Sequence, residues 1–285
     1  MKLAKPLILV FLCLVVFGGG GYLAYRNLIQ PAQPNEQERE AMKAKGPPPP
    51  PPDPAAPDLA KVAALRKDKK NVEARELLAS VVANYPGSPR IDEARNALGE
   101  MNADLVLSTN PSPDKIEYVI KAGDSLDKIA RQFKTSGELI MRSNNLVNTI
   151  IQPGQRLSIF QPDFTVEVHL GERRIVLLQH GKFFKQYPIV SVSLPGAGKP
   201  VETKTKILEK AAFRDGKRVT FGTKEYAGSA RWIILSQPGY TIFAETPPGT
   251  PGAAAKPPTG LGLSEADMEE LHTLVGNGLP VTIFP

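Results

Sequence analysis

Six consecutive prolines, Pro47 to Pro52, divide this chain. Proline has no backbone N–H and a fixed φ, so neither a helix interior nor a central strand can run through such a stretch. The run instead adopts polyproline II with a rise of about 3.1 Å per residue, making residues 47–57 a stiff spacer of roughly 30 Å. The chain on either side must therefore be read separately.

Before the prolines, Lys2 and Lys5 precede an uncharged segment from Pro6 to Tyr25 that Arg26 closes. About 20 such residues suffice to cross ~30 Å of hydrocarbon as a helix. The leading positive charge favours a cytoplasmic N-terminus, with everything after the segment outside the cytoplasm. We expect residues 1–26 to be a transmembrane anchor, followed by a linker at 27–57. A cleaved signal peptide is the rival, with Gly18 to Gly21 offering small residues for cleavage. The chain's single cysteine, Cys13, lies inside this apolar segment, so no intrachain disulfide can form. The net charge of +6 is spread along the chain without a block of Lys and Arg, which argues against nucleic-acid binding.

At 285 residues the chain has room for two or three small domains. Residues 58–110 read as a helical hairpin. Leu59, Val62, Ala63 and Leu65, then Ala74, Leu77, Leu78, Val81 and Val82, form one apolar stripe. Tyr85 to Pro89 breaks it, with Ser88 expected as the N-cap of a second helix through Ile91, Ala94, Leu98 and Met101. The pair resembles a single tetratricopeptide-type unit, and one unit cannot bury its apolar face alone. It is expected to dock on another domain or a partner.

Tyr118 and Ile120 alternate as a strand, Gly123-Asp124-Ser125 turns into a helix carrying Leu126, Ile129, Ala130 and Phe133, and Pro153-Gly154 leads into a closing strand at Leu157 and Ile159. Over residues 117–160 this sequence resembles a LysM domain, which implies a βααβ fold. The resemblance implies binding of N-acetylglucosamine-containing glycan, as in peptidoglycan, between two loops. They are Gly123, Asp124, Ser125 and Leu126 on one side and Asn148, Ile150, Ile151 and Pro153 on the other.

Residues 163–285 read as mainly β. Alternation at Phe164 to Leu170, an apolar run at Ile175 to Leu178 and a turn at His180-Gly181-Lys182 are followed by strands at Tyr187 to Val192, Lys204 to Leu208, Arg231 to Leu235 and Tyr240 to Ala244. Many short strands imply a sandwich or barrel-like sheet. Ser264 and Asp267 cap a helix that Gly276 stops, and Pro280 to Phe284 is the last strand. The run from Gly228 to Ile242 and the ending from Ser264 to Phe284 resemble the catalytic domain of YkuD-type L,D-transpeptidases. That family expects Ile-His-Gly after the first run, then Ser-His-Gly-Cys, an apolar residue and Arg. This chain has Phe243 and Pro258 at the two histidine positions, Gly260 at the nucleophile and Gly262 at the arginine. Acyl transfer by that route needs a thiolate with a base in reach, and no cysteine follows Cys13.

The fold class expected is thus multidomain α+β: a transmembrane helix, a helical hairpin, a LysM domain and a mainly-β transpeptidase-like domain without its chemistry. The function expected is non-catalytic peptidoglycan binding, of glycan and of stem peptides, by a protein anchored in the bacterial inner membrane with its soluble domains in the periplasm or outside the cell. No cofactor or metal is expected, because His169, His180 and His272 lack ligand spacing. Ser264, Asp267 and His272 do not read as a triad, since Ser264 is consumed as a cap. The alternatives are a cell-wall enzyme of another mechanism and a regulator of, or scaffold for, a cell-wall enzyme partner.

Overall fold

The computed structural model describes residues 51–194, 201–245 and 259–285. The expected membrane segment and most of the expected linker lie outside them; among the described residues no helix is long and apolar enough to cross a membrane. The chain divides at Pro52, and the unit from Asp53 to Pro285 is described below.

Three helices open this unit: α1 (Ala56–Lys67), α2 (Asn71–Asn84) and α3 (Ile91–Val106). The single apolar stripe expected from Leu59 to Val82 is in fact two helices. The break falls at Asp68 to Lys70, where Lys69 adopts a positive φ of 60° and three polar residues leave the chain free to reverse. The expected cap is also displaced. Ser88 Oγ donates to Asp53 Oδ1 at 2.8 Å and accepts from Arg90 N at 3.1 Å, so it pins the turn, and the helix begins only at Ile91. Ala55 is fully buried beneath the helices, so the folded unit starts before residue 58.

The apolar faces of these helices meet in one cluster of Leu59, Val62, Leu78, Val81, Ala94 and Leu98. The docking partner a lone unit requires is β5 (Lys182–Pro188). Here α3 runs close against the strand. Asn102 Nδ2 donates to the Phe184 carbonyl at 2.8 Å, and a Cβ on Gly99 would lie 2.8 Å from Lys185 Cγ.

The next segment is β1 (Lys115–Val119), α4 (Leu126–Gln132), α5 (Gly137–Ser143) and β2 (Arg156–Phe160). The strands pair antiparallel with Val119 opposite Arg156. Ser125 and Ser136 cap the two helices, each hydroxyl accepting from a backbone N–H three residues on. Ile120, Leu126, Ile129, Ile140, Leu157 and Ile159 fill the space between helices and strands. Asn144 joins the two layers: its side chain donates to Ser158 O and accepts from Ser158 N at 2.8 and 2.7 Å, acting as an extra strand residue.

The remainder forms a 10-stranded sheet in the order β5-β4-β3-β12-β7-β9-β10-β11-β6, with β8 paired to β7. The strands not yet placed are β3 (Phe164–His169), β4 (Arg174–Gln179), β6 (Ser191–Ser193), β7 (Thr203–Arg214), β8 (Lys217–Val219), β9 (Ala230–Leu235), β10 (Thr241–Ala244), β11 (Gly260–Leu263) and β12 (Pro280–Phe284). β7 is the corner. Its first residues pair with β12 and its later ones with β9, with an irregularity between Ile207 and Glu209, the device by which one strand serves two sheet directions. The single strand expected over Tyr187 to Val192 is interrupted between Pro188 and Ser191, and the second piece crosses to pair with β11. Helix α6 (Glu265–Leu274) is capped by Ser264 as its spacing predicts. It seals one core in which Met268 and Leu271 join Val166, Ile175, Leu177, Ile233 and Leu261.

Candidate functional site

Strands β10 and β11 run parallel, with Phe243 opposite Gly262, and β11 pairs on its other side with β6, placing Gly260 opposite Ser193. Phe243, Gly260 and Gly262 therefore converge at one place in the sheet. Pro258 lies outside the described residues.

The backbone closes on the position where a nucleophile is expected. Gly260 has φ +150°, and a Cβ built there would lie 2.0 Å from the Thr241 carbonyl oxygen and 3.2 Å from Phe243 Cε1. No L side chain fits without moving strand β10, because the blocking atom is backbone. Phe243 is 1% exposed, its ring forming part of the wall where a histidine would present an imidazole. At Gly262 the space is filled by a polar pair. Ser191 Oγ donates to Glu245 Oε2 at 2.6 Å, and a Cβ on Gly262 would meet these two atoms at 2.3 and 2.5 Å. An arginine there would have to displace both.

The two loops singled out in the LysM-like segment emerge from the same end of its strand pair. Ile120 N donates to Gln155 O at 2.9 Å and Gly154 N donates to Ile120 O at 2.8 Å, closing the ladder beneath both loops. Gly123 uses its freedom at φ +84°, and Asp124 is the staple of its loop. Its Oδ2 accepts from Lys121 N and from the Tyr118 hydroxyl, both at 2.8 Å, which holds the carboxyl below its ordinary pKa. Asp124 thus secures the turn, while Ser125 alone caps the helix. Asn148 Oδ1 accepts from Ile150 N at 2.9 Å and shapes the second loop. Leu126 is buried in the core and Ile151 packs partly against it, so Leu126 offers a ligand only backbone. Ile150 is 75% exposed and Val147 94%. Val147 was missed by the sequence reading; an apolar residue among asparagines, Asn144-Asn145-Leu146-Val147-Asn148, was its only signal.

The histidines are dispersed. His169 stacks on Phe284 with centroids 4.9 Å apart, and His180 sits at a turn between Asp163 and Asp114, which raise its pKa. His272 faces Glu138, a buried acid that periodicity could not flag. Among the described residues no group of three or more His, Cys, Asp or Glu could hold a metal ion.

Comparison with known proteins agrees with the two parts of this geometry. Residues 118–160 match the family model of the LysM domain. The chain is related in sequence to YkuD-type L,D-transpeptidases. It is 28% identical over 182 residues to a Bacillus licheniformis protein that carries the name L,D-transpeptidase YkuD, covering 59% of this chain and 98% of that protein. To the Bacillus subtilis (strain 168) protein of the same name it is 26% identical over 179 residues, again covering 59% and 98%. Among solved structures, an L,D-transpeptidase from Mycobacterium smegmatis aligns with 12% identity and a TM-score of 0.31, covering 46% of this chain and 64% of that one. LysM domains bind the N-acetylglucosamine-containing glycan of peptidoglycan, and this domain beside an L,D-transpeptidase-like one marks a cell-wall-associated protein.

Proposed function

We propose that this chain is a non-catalytic, peptidoglycan-binding protein of the cell envelope. Its N-terminal segment anchors it to the membrane, its LysM domain holds wall glycan, and its transpeptidase-like domain has lost turnover. The observation that carries this reading is the backbone at Gly260. The Thr241 carbonyl occupies the space of a nucleophile's Cβ, and the chain's one thiol, Cys13, belongs to another part of the chain. Thiolate chemistry cannot proceed without a sulfur beside a base. The glycan contact falls to the two loops around Gly123 to Leu126 and Asn148 to Pro153. Exposed Ile150 and Val147 supply apolar surface for the faces of sugar rings, and loop N–H groups supply donors.

Sedimentation of the full chain with purified sacculi tests the glycan half. Wild type should co-sediment, and replacing both Val147 and Ile150 by Asp should lower retention at least fivefold without changing thermal stability. Equal retention by the double variant would exclude these loops. The Ser191–Glu245 hydrogen bond supports a second reading, in which that hydroxyl is a nucleophile activated by a carboxylate. Release or exchange of stem-peptide residues that disappears in Ser191→Ala would establish this second reading in place of the first.

A further inference from the structure

Helix α5 carries Glu138 out of the LysM domain and into the seam with the β-domain, where it is 6% exposed. His272 Nδ1 lies 3.2 Å from its carboxylate and Lys210 Nζ 3.5 Å, and the Tyr226 hydroxyl also bonds to it. Arg231, also 6% exposed, stands behind them with its guanidinium 3.7 Å over the Tyr226 ring and Nη1 donating to the carbonyls of Tyr226 and Ser229. Beside this group is a cavity of about 330 Å³ whose lining includes Glu138, Lys210, Arg218, Thr220, Tyr226 and His272.

The charges around this cavity do not balance. The largely buried Lys210 and Arg231 share one buried carboxylate, Glu138, while Arg218 and Glu209 pair with each other on the exposed side. One cation is in surplus where charge is poorly solvated, an arrangement that is costly unless an anion joins it. Hydrogen-bonding capacity is unused as well. The Lys210 ammonium has three donors and a single long contact to Glu138, while Arg231 Nε and His272 Nε2 are buried without partners. Burial alone would raise the Glu138 carboxyl, but the His272 hydrogen bond and the nearby cations bring it to about 2. Burial pushes His272 down to about 4. At neutral pH an ionised Glu138 can only accept, so Nδ1 of the neutral imidazole carries the proton and Nε2 is left as a bare acceptor.

We propose that this cavity binds a small carboxylate bearing a hydrogen-bond donor on the adjoining carbon, its anionic end on Lys210 and its donor on His272. An α-hydroxy acid has that chemistry; an α-amino acid, zwitterionic at neutral pH, brings no net negative charge.

Calorimetric titration of the full chain at pH 7 with lactate, alanine, propionate and inorganic phosphate tests this. Lactate should bind saturably, at least threefold tighter than alanine or propionate and at least tenfold tighter than to Lys210→Met. No saturable binding of lactate, equal binding of propionate, tighter binding of phosphate, or unchanged binding to a folded Lys210→Met each overturns the proposal. If Lys210→Met does not fold, Thr220→Trp serves in its place. Thr220 is exposed at the cavity wall, so the indole closes the cavity without disturbing the core, and binding that survives it refutes the site.

Discussion

Placing a cysteine at residue 260 should destabilise this protein. In Gly260→Cys the new Cβ lies 2.0 Å from Thr241 O, and the backbone stays at φ +150°. Both insults have known sizes. A non-glycine residue held in such a φ region costs about 1–3 kcal/mol, and forcing volume into a packed site costs typically 1–3 kcal/mol. Together they predict a loss of about 2–6 kcal/mol. At roughly 2–4 °C per kcal/mol for a unit of this size, the midpoint should fall by about 4–24 °C. The measurement is scanning calorimetry on a Cys13→Ser background, so that the introduced sulfur is the only thiol. Gly276→Cys is the control, since a Cβ there meets nothing within 4 Å. Mass spectrometry after incubation with muropeptides then asks whether an acyl adduct forms. A Gly260→Cys protein as stable as the control that accumulates a thioester would refute the argument that the backbone has closed over the nucleophile's place.

Two further perturbations probe the seams. His272 is pushed from 6.5 down to about 4 by burial, so on acidification the unfolded chain takes up this proton before the folded one. Stability should therefore fall between pH 6.5 and 4, by up to about 3 kcal/mol for this group at 1.36 kcal/mol per pH unit. Urea midpoints at pH 7, 5.5 and 4 should show His272→Asn losing that part of the slope; an unchanged slope sinks the assignment. Gly99→Val drives side-chain atoms into Lys185, whose Cα is 3.2 Å from a Cβ at 99. It should lower stability by about 1–3 kcal/mol, and a thermal midpoint equal to wild type would show that α3 can lift from β5 freely.

Much of the local structure was legible because its causes lie within a few residues. Ser264 caps α6, Ser125 caps α4, and the alternation from Phe164 to His169 is buried at every second position. The loops built on Gly123 and Asn148 were visible for the same reason, since Asp124 and Asn148 act on backbone two or three residues away. The split of one apolar stripe into α1 and α2 was not legible, because periodicity continues across Lys69 while the backbone does not.

From the sequence alone it follows that no thiol exists beyond Cys13 and that Phe243 and Gly260 cannot carry a proton or a nucleophile. Composition decides this, whatever the fold. Only the tertiary structure shows that Thr241 and Phe243 crowd the space beside Gly260, that Ser191 and Glu245 lie beside Gly262, and that Glu138 meets His272 across 134 residues. Such contacts depend on which strands become neighbours and where α5 lands. Those choices belong to the burial of the whole core, and no local pattern encodes them.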